Sequence, residues 1–208
     1  MNYPLRMLIF GTSNFSNPLL SGTSKHWDEQ DHRFVNFKDM SQTIISMVIT
    51  YQMFNLKQAM AQKEVQDAIT RNQIVFVHCL RNDLRLLAKK KKGKPLQTAL
   101  NKLIDQYCET IRYLHTRGKI VIISTLMLRE DSASNEANRH MMNLRIANKL
   151  QNMSIPQHTV NYDNVILPQE HLLRDGYHLN SLGVSAMIEA ISKKLLSINN
   201  IVTKYKRY

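Results

Sequence analysis

Short runs of Val, Ile and Phe alternate along this chain with longer stretches in which apolar residues recur every three or four positions. "RMLIFG" (6–11), "RFVNF" (33–37), "QIVFVHC" (73–79) and "GKIVIIST" (118–125) have the length and β-branched content of buried strands, and "HTVNYDNV" (158–165) is a weaker fifth. Between them the spacing predicts helices over 41–69, 96–117, 133–153 and 182–197. In the second of these Leu96, Leu100, Leu103, Ile104, Tyr107, Ile111 and Leu114 share one face, and in the last Val184, Met187, Ile188, Ile191, Leu195 and Leu196 do the same. Strands alternating with helices of this length imply right-handed crossovers and a parallel sheet covered on both faces. No internal repeat or linker interrupts the pattern, and 208 residues suit one domain with a substantial core.

Charge changes that picture more than composition does. Twenty-eight Lys and Arg oppose sixteen Asp and Glu, a formal +12 with a pI near 9.8, which points to a polyanionic partner such as RNA. The densest basic segment is "KKKKGK" (89–94), read as a loop before a helix starting at Pro95, and residues 200–208, ending "TKYKRY", read as a frayed basic tail. No apolar run is long enough for membrane insertion, and "MNYPLRMLIFG" lacks the apolar core and cleavage site of a secretory signal. Two cysteines are too few for a disulfide framework, so the expected setting is reducing and cytoplasmic.

In an open parallel sheet chemistry gathers in the loops beyond the carboxyl ends of the strands. After the first strand, in "FGTSNFSNP", Ser13 would stand at the amino end of the following helix, beside free N–H groups. After the third, in "HCLRNDLR", the amide of Asn82 could donate to a developing oxyanion. Before the last helix, "LRDGYHLNSLG" sets Asp175 three residues from His178, the spacing at which a carboxylate can orient an imidazole base. Singly these are a helix cap, a turn-forming Asn-Asp pair and a Gly turn. Together they occupy matching points along one sheet edge.

That conjunction, from "IFGTSN" to "DGYHLNSLG", resembles the SGNH (GDSL-type) hydrolase family across essentially the whole chain. The resemblance implies a three-layer flavodoxin-like α/β sandwich with a five-stranded parallel sheet. It casts Ser13 as nucleophile, His178 as base, Asp175 as its orienting carboxylate and Asn82 as an oxyanion donor, and it implies hydrolysis of a short-acyl ester. The sequence departs from the family pattern at Thr12, which replaces an Asp, and at Leu80, which replaces a Gly. It departs again at Asp39 or Met40, in "NFKDMSQTI", where the family's second block brings a Gly. It is also similar to basic members of the wider group, the carboxyl-terminal domain of the insect germ-plasm protein Oskar and the esterase domains of LINE-type retrotransposon proteins. The likeness to Oskar implies an alternative role as a catalytically impaired module binding RNA or another polyanion, whereas the retrotransposon domains imply an esterase combined with nucleic-acid binding. Arg81, Arg85, Lys89, Lys90, Lys91, Lys92 and Lys94 would then hold the phosphate backbone without reading bases, since aromatic residues are not concentrated beside them. The eight histidines form no ligand-spaced pair and Cys79 has no C-x-x-C partner, so no metal or other cofactor is expected.

Overall fold

The structure is a computed structural model that describes residues 5–11, 27–28, 33–34, 43–50, 60–128, 133–176 and 178–205. In chain order the strands are β1 (Leu5–Gly11), β2 (Trp27–Asp28), β3 (Arg33–Phe34), β4 (Thr43–Thr50), β5 (Ile74–His78), β6 (Ile120–Ser124) and β7 (His158–Val160). The helices are α1 (Lys63–Arg71), α2 (Arg81–Lys90), α3 (Gly93–Thr116), α4 (Ala133–Asn152), α5 (Pro168–His171) and α6 (Ser181–Tyr205). Five strands form one sheet in the order β4-β1-β5-β6-β7, and every pair in it is parallel.

Alternation along the strands builds two cores. Leu8, Phe10, Val75, Val77, Val121 and Ile123 face one way, onto the apolar sides of α1 to α4. Met7, Ile9, Ile74, Phe76, Ile122 and Val160 face the other way, onto Val184, Met187, Ile188, Ile191 and Leu195 of α6. The result is the expected three-layer α/β sandwich with a five-stranded parallel sheet.

One strand of that sheet differs from the expectation. Of the segment 33–37, Arg33–Phe34 pairs antiparallel with Trp27–Asp28 in a separate ribbon, and residues 35–37 lie outside the described residues. Its place beside β1 is taken by "TIISMVIT", with Leu5 opposite Thr43 and Gly11 opposite Thr50. Ile44, Ile45, Val48 and Ile49 satisfy helical spacing, but six β-branched residues in an eight-residue run, with Thr43 and Thr50, suit a pleated surface better. Asp39 and Met40 therefore precede the amino end of this strand, and they lie outside the described residues. The chain leaves its carboxyl end at residue 51, which is also outside them.

Two further boundaries differ. Residues 81–90 are helical, so Lys89 and Lys90 form the last turn of α2, only Lys91 and Lys92 separate it from α3, and α3 starts at Gly93 rather than Pro95. The last helix continues through Tyr205, into the stretch expected to fray. Among the described residues no helix is long and apolar enough to cross a membrane.

Helix α6 is seated through Gly183. A Cβ there would lie 2.2 Å from the carbonyl oxygen of His171 and 2.8 Å from Leu179 Cδ2. Only glycine permits this approach, because the nearer obstacle is backbone and cannot rotate away. Gly183→Ala is expected to cost about 2 kcal/mol through overpacking, lowering the thermal midpoint by roughly 4–8 °C in a chain of this size. A melt superimposable on the parent's would show that the helix reseats freely.

Candidate functional site

The register aligns the carboxyl ends of the strands. Gly11 lies opposite both Thr50 and His78, and Ser124 lies opposite Val160. Ser13 and Thr12 follow Gly11 directly and lie outside the described residues. Beside Gly11, His78 is buried. Its Nδ1 is 2.8 Å from Ser124 Oγ, and its ring meets the edge of the Tyr162 ring at 5.5 Å between centroids. The edge thus has a polar but well-packed floor made by β5, β6 and the turn after β7.

The turn from β5 into α2 carries Asn82. It pivots on Leu80, whose φ of 79° and ψ of −23° put a non-glycine residue in the left-handed region, at the position where the family pattern has a glycine. The strain of about 1–2 kcal/mol is matched by burying the whole leucine side chain, worth about 1.5–3 kcal/mol, since Leu80 is 0% exposed. Leu80 thus keeps the glycine-type turn without the glycine. Asn82 then stands half-exposed in the first turn of α2, where N–H groups lack helical partners. Next to it, burial pushes the Asp83 carboxyl above its ordinary range. Burial first, and the Asp83 charge second, push the Cys79 thiol well up, which removes it as a rival nucleophile.

On the opposite side, the segment before α6 folds back on itself. Leu172 and Leu179 form an antiparallel bridge, Leu173 N donates to His178 O at 2.7 Å, and Gly176 turns the chain with φ 67°. Inside this loop Asp175 uses both oxygens on one residue. Oδ1 accepts from the His178 backbone N at 2.9 Å, and Oδ2 lies 2.6 Å from His178 Nδ1. With the carboxylate ionised, Nδ1 carries the hydrogen and Nε2 is left as the basic nitrogen. The Asp175 and His178 side chains are 44% and 39% exposed, within reach of solvent and of a substrate. Asn180 holds the loop to the helix: Oδ1 accepts from Gly183 N at 2.9 Å as an N-cap, and Nδ2 donates to Glu170 O at 2.7 Å.

Packing places this loop at the same edge. Lys194, in the middle of α6, lines one cleft with Thr159 and Val160 of β7, and burial and then its charge lower the imidazole pKa of His158 at the amino end of that strand. From Lys194 back to Ser181 is about 20 Å of helix, against about 10 Å of strand in β7. Helix α6 therefore begins beyond the carboxyl end of β7, and the Asp175–His178 loop with it.

A buried charge network at this edge has no counterpart in the sequence reading. The Arg81 guanidinium pairs with Glu136 Oε1, Arg139 Nε donates to Glu136 Oε2 at 2.6 Å, and Arg139 Nη1 donates to Asp163 Oδ1 at 2.6 Å and to Leu126 O at 3.0 Å. Arg81 is 3% exposed, so it faces inward and not toward a phosphate backbone, contrary to its expected place among the surface cations. Arg85 is half-buried, whereas Lys89, Lys90, Lys91, Lys92 and Lys94 are exposed. The Glu136-x-x-Arg139 spacing is visible in the sequence, but nothing there brings Arg81 beside it.

No protein-family model matches this sequence, and neither does any of the curated proteins. Solved structures do. A GDSL-like lipase from Bacteroides thetaiotaomicron VPI-5482 superposes with a TM-score of 0.60 over 95% of this chain and 93% of its own, at 13% identity. The acetylxylan esterase Axe2 from Geobacillus stearothermophilus gives 0.65 over 93% and 95%, at 10% identity. An acetyl xylan esterase, AlAXEase, gives 0.63 over 93% and 99%, at 15% identity. The chain has a three-layer α/β architecture, and more narrowly the fold of the SGNH (GDSL-type) hydrolases. At these identities the likeness establishes the fold, and the chemistry rests on the residues themselves.

The Leu80 turn makes an unusual forecast. Leu80→Ala keeps the strain and loses the buried side chain, whereas Leu80→Gly loses the side chain but relieves the strain. Both should destabilise by a few kcal/mol, with Gly the milder by about 1 kcal/mol. Urea unfolding of the two variants decides it, and Ala proving the more stable would exclude a left-handed residue 80.

Proposed function

We propose that this chain is an SGNH-type serine ester hydrolase acting on short-acyl esters. The observation that carries the reading is the 2.6 Å contact between Asp175 Oδ2 and His178 Nδ1 at the carboxyl edge of the sheet. Ser13 comes two peptide units after Gly11, about 7 Å of chain at most, and Gly11 ends its strand at that edge. Ser13 Oγ attacks the acyl carbonyl as His178 Nε2 takes its proton, and Asp175 stabilises the resulting imidazolium. The Asn82 amide and neighbouring backbone N–H groups steady the oxyanion. His178 returns the proton to the departing alcohol, leaving an acyl-Ser13 ester. Water, deprotonated by the same nitrogen, then releases the acid and restores Ser13.

With p-nitrophenyl acetate, Ser13→Ala should lower kcat by on the order of 10³-fold or more. Asp175→Asn should lower it by on the order of 10²-fold, less than for a buried aspartate because water shares its role at an exposed site. Turnover by Ser13→Ala equal to the parent's removes the enzyme reading.

A second reading, binding of RNA or another polyanion, is favoured by the exposed Lys89, Lys90, Lys91, Lys92 and Lys94. Lys92 and Lys94 crowd the amino end of α3, whose first turn holds no acidic residue, so the helix dipole adds to their positive field. Affinity for single-stranded RNA should fall steeply with salt. Changing residues 89–92 to Gln should flatten the log–log slope by about 0.7 for each phosphate that is no longer neutralised. A slope unchanged by these substitutions would place any binding elsewhere.

A further inference from the structure

We infer that the quartet of buried Arg81 and Arg139 with half-buried Glu136 and Asp163 is a positioning device for Asn82, holding the strained turn after β5 so that the Asn82 amide meets the oxyanion. The inference rests on the esterase reading. Arg81 and Asn82 are consecutive in the first turn of α2, so whatever fixes the arginine fixes the asparagine. Arg81 is fixed by Glu136, in the first turn of α4, and Glu136 offers its second oxygen to Arg139. Arg139 in turn grips the Leu126 carbonyl just beyond β6 and the Asp163 carboxylate in the turn after β7. Four directional contacts thus tie the segments leaving β5, β6 and β7 into one frame, and Asn82 is mounted on its first member.

Charge is an expensive way to make such a frame. Buried ion pairs seldom stabilise more than apolar residues of the same volume, so stability alone does not account for two arginine side chains that are 4% and 8% exposed. Direction does, because an N–H aimed at a carboxylate fixes orientation where packed methyl groups leave freedom to slide. The need is greatest here, since Leu80 holds a backbone conformation that most residues leave when unconstrained. Burial of Leu80 restrains the turn on one side and Arg81 restrains it on the other.

The test is a double-mutant cycle on ester hydrolysis, with folding checked by thermal melts. Glu136→Gln, which removes the charge and keeps the shape, should lower kcat by about 10–100-fold, as expected for a group displaced by a fraction of an ångström. KM should stay within about two-fold, because the weakened interaction acts only in the transition state. Glu136→Asp should recover part of the rate. In an Asn82→Ala background the same Glu136→Gln change should cost less than about two-fold, since the amide it positions is gone. Should Glu136→Gln fold poorly, Asp163→Asn at the more exposed end of the network should show a smaller loss with the same dependence on Asn82. Equal losses in both backgrounds, or no loss in either, overturn the positioning role. Additive losses in an enzyme that needs Ser13 defeat this inference alone, whereas absence of Ser13-dependent turnover in the parent defeats the esterase reading and this inference together.

Discussion

Pairing Gly11 with Thr50 on one side and with His78 on the other brings three strands to an end at the same level, and Ser124 with Val160 extends that level across the sheet. Nearly everything else follows from this parallel register. Both faces must be covered, since Ile74 to His78 are all buried, and the helices on either side leave the sheet's ends as the places where polar side chains can gather. At the carboxyl end those side chains belong to residues far apart in the chain, and the register brings His78 and Ser124, 46 positions apart, to within 2.8 Å.

The edge handles its charges in two opposite ways. Arg81 and Arg139 are withdrawn from water and neutralised by the half-buried carboxylates of Glu136 and Asp163, with the backbone carbonyl of Leu126 taking a further N–H. Asp175 and His178 remain partly solvated in a loop closed by a glycine turn. Such a network resists displacement, because moving one partner leaves a poorly solvated charge uncompensated. A braced turn on the Asn82 side and solvent access on the His178 side are complementary properties for the acyl transfer proposed above.

Legibility from the sequence follows the range of the interactions. Helices α3 and α4 are predictable to within a few residues because their apolar faces repeat locally, and the Asp175–His178 pairing is readable because its partners are three apart. The second strand of the sheet is misplaced from sequence because Thr43–Thr50 carries apolar residues at spacings that fit either period, and only its pairing with β1 decides between them. Helix α2 escapes notice because an Arg-Asn-Asp start after a leucine in the left-handed region carries none of the usual capping signals, and no side chain caps it. The charge network is invisible for a plainer reason: Arg81 and Glu136 are 55 positions apart, and no periodicity links them. The roles of Asn180 and Gly183 in the same motif as His178 are likewise hidden, since a cap and a close approach are properties of the folded loop.

The contact of Gly183 with the His171 carbonyl has a consequence for how the protein comes apart. Together with the Asn180 cap and the Leu172–Leu179 bridge, it makes the imidazole loop and the final helix a single cooperative unit, docked on the sheet by Val184, Met187, Ile188, Ile191 and Leu195. Partial opening of that helix would carry His178 off the edge while the strands and the Asn82 turn stayed folded. If the helix opens first, displacement of His178 precedes loss of the sheet on heating, and the esterase activity proposed above would decay with the undocking of one helix before global unfolding.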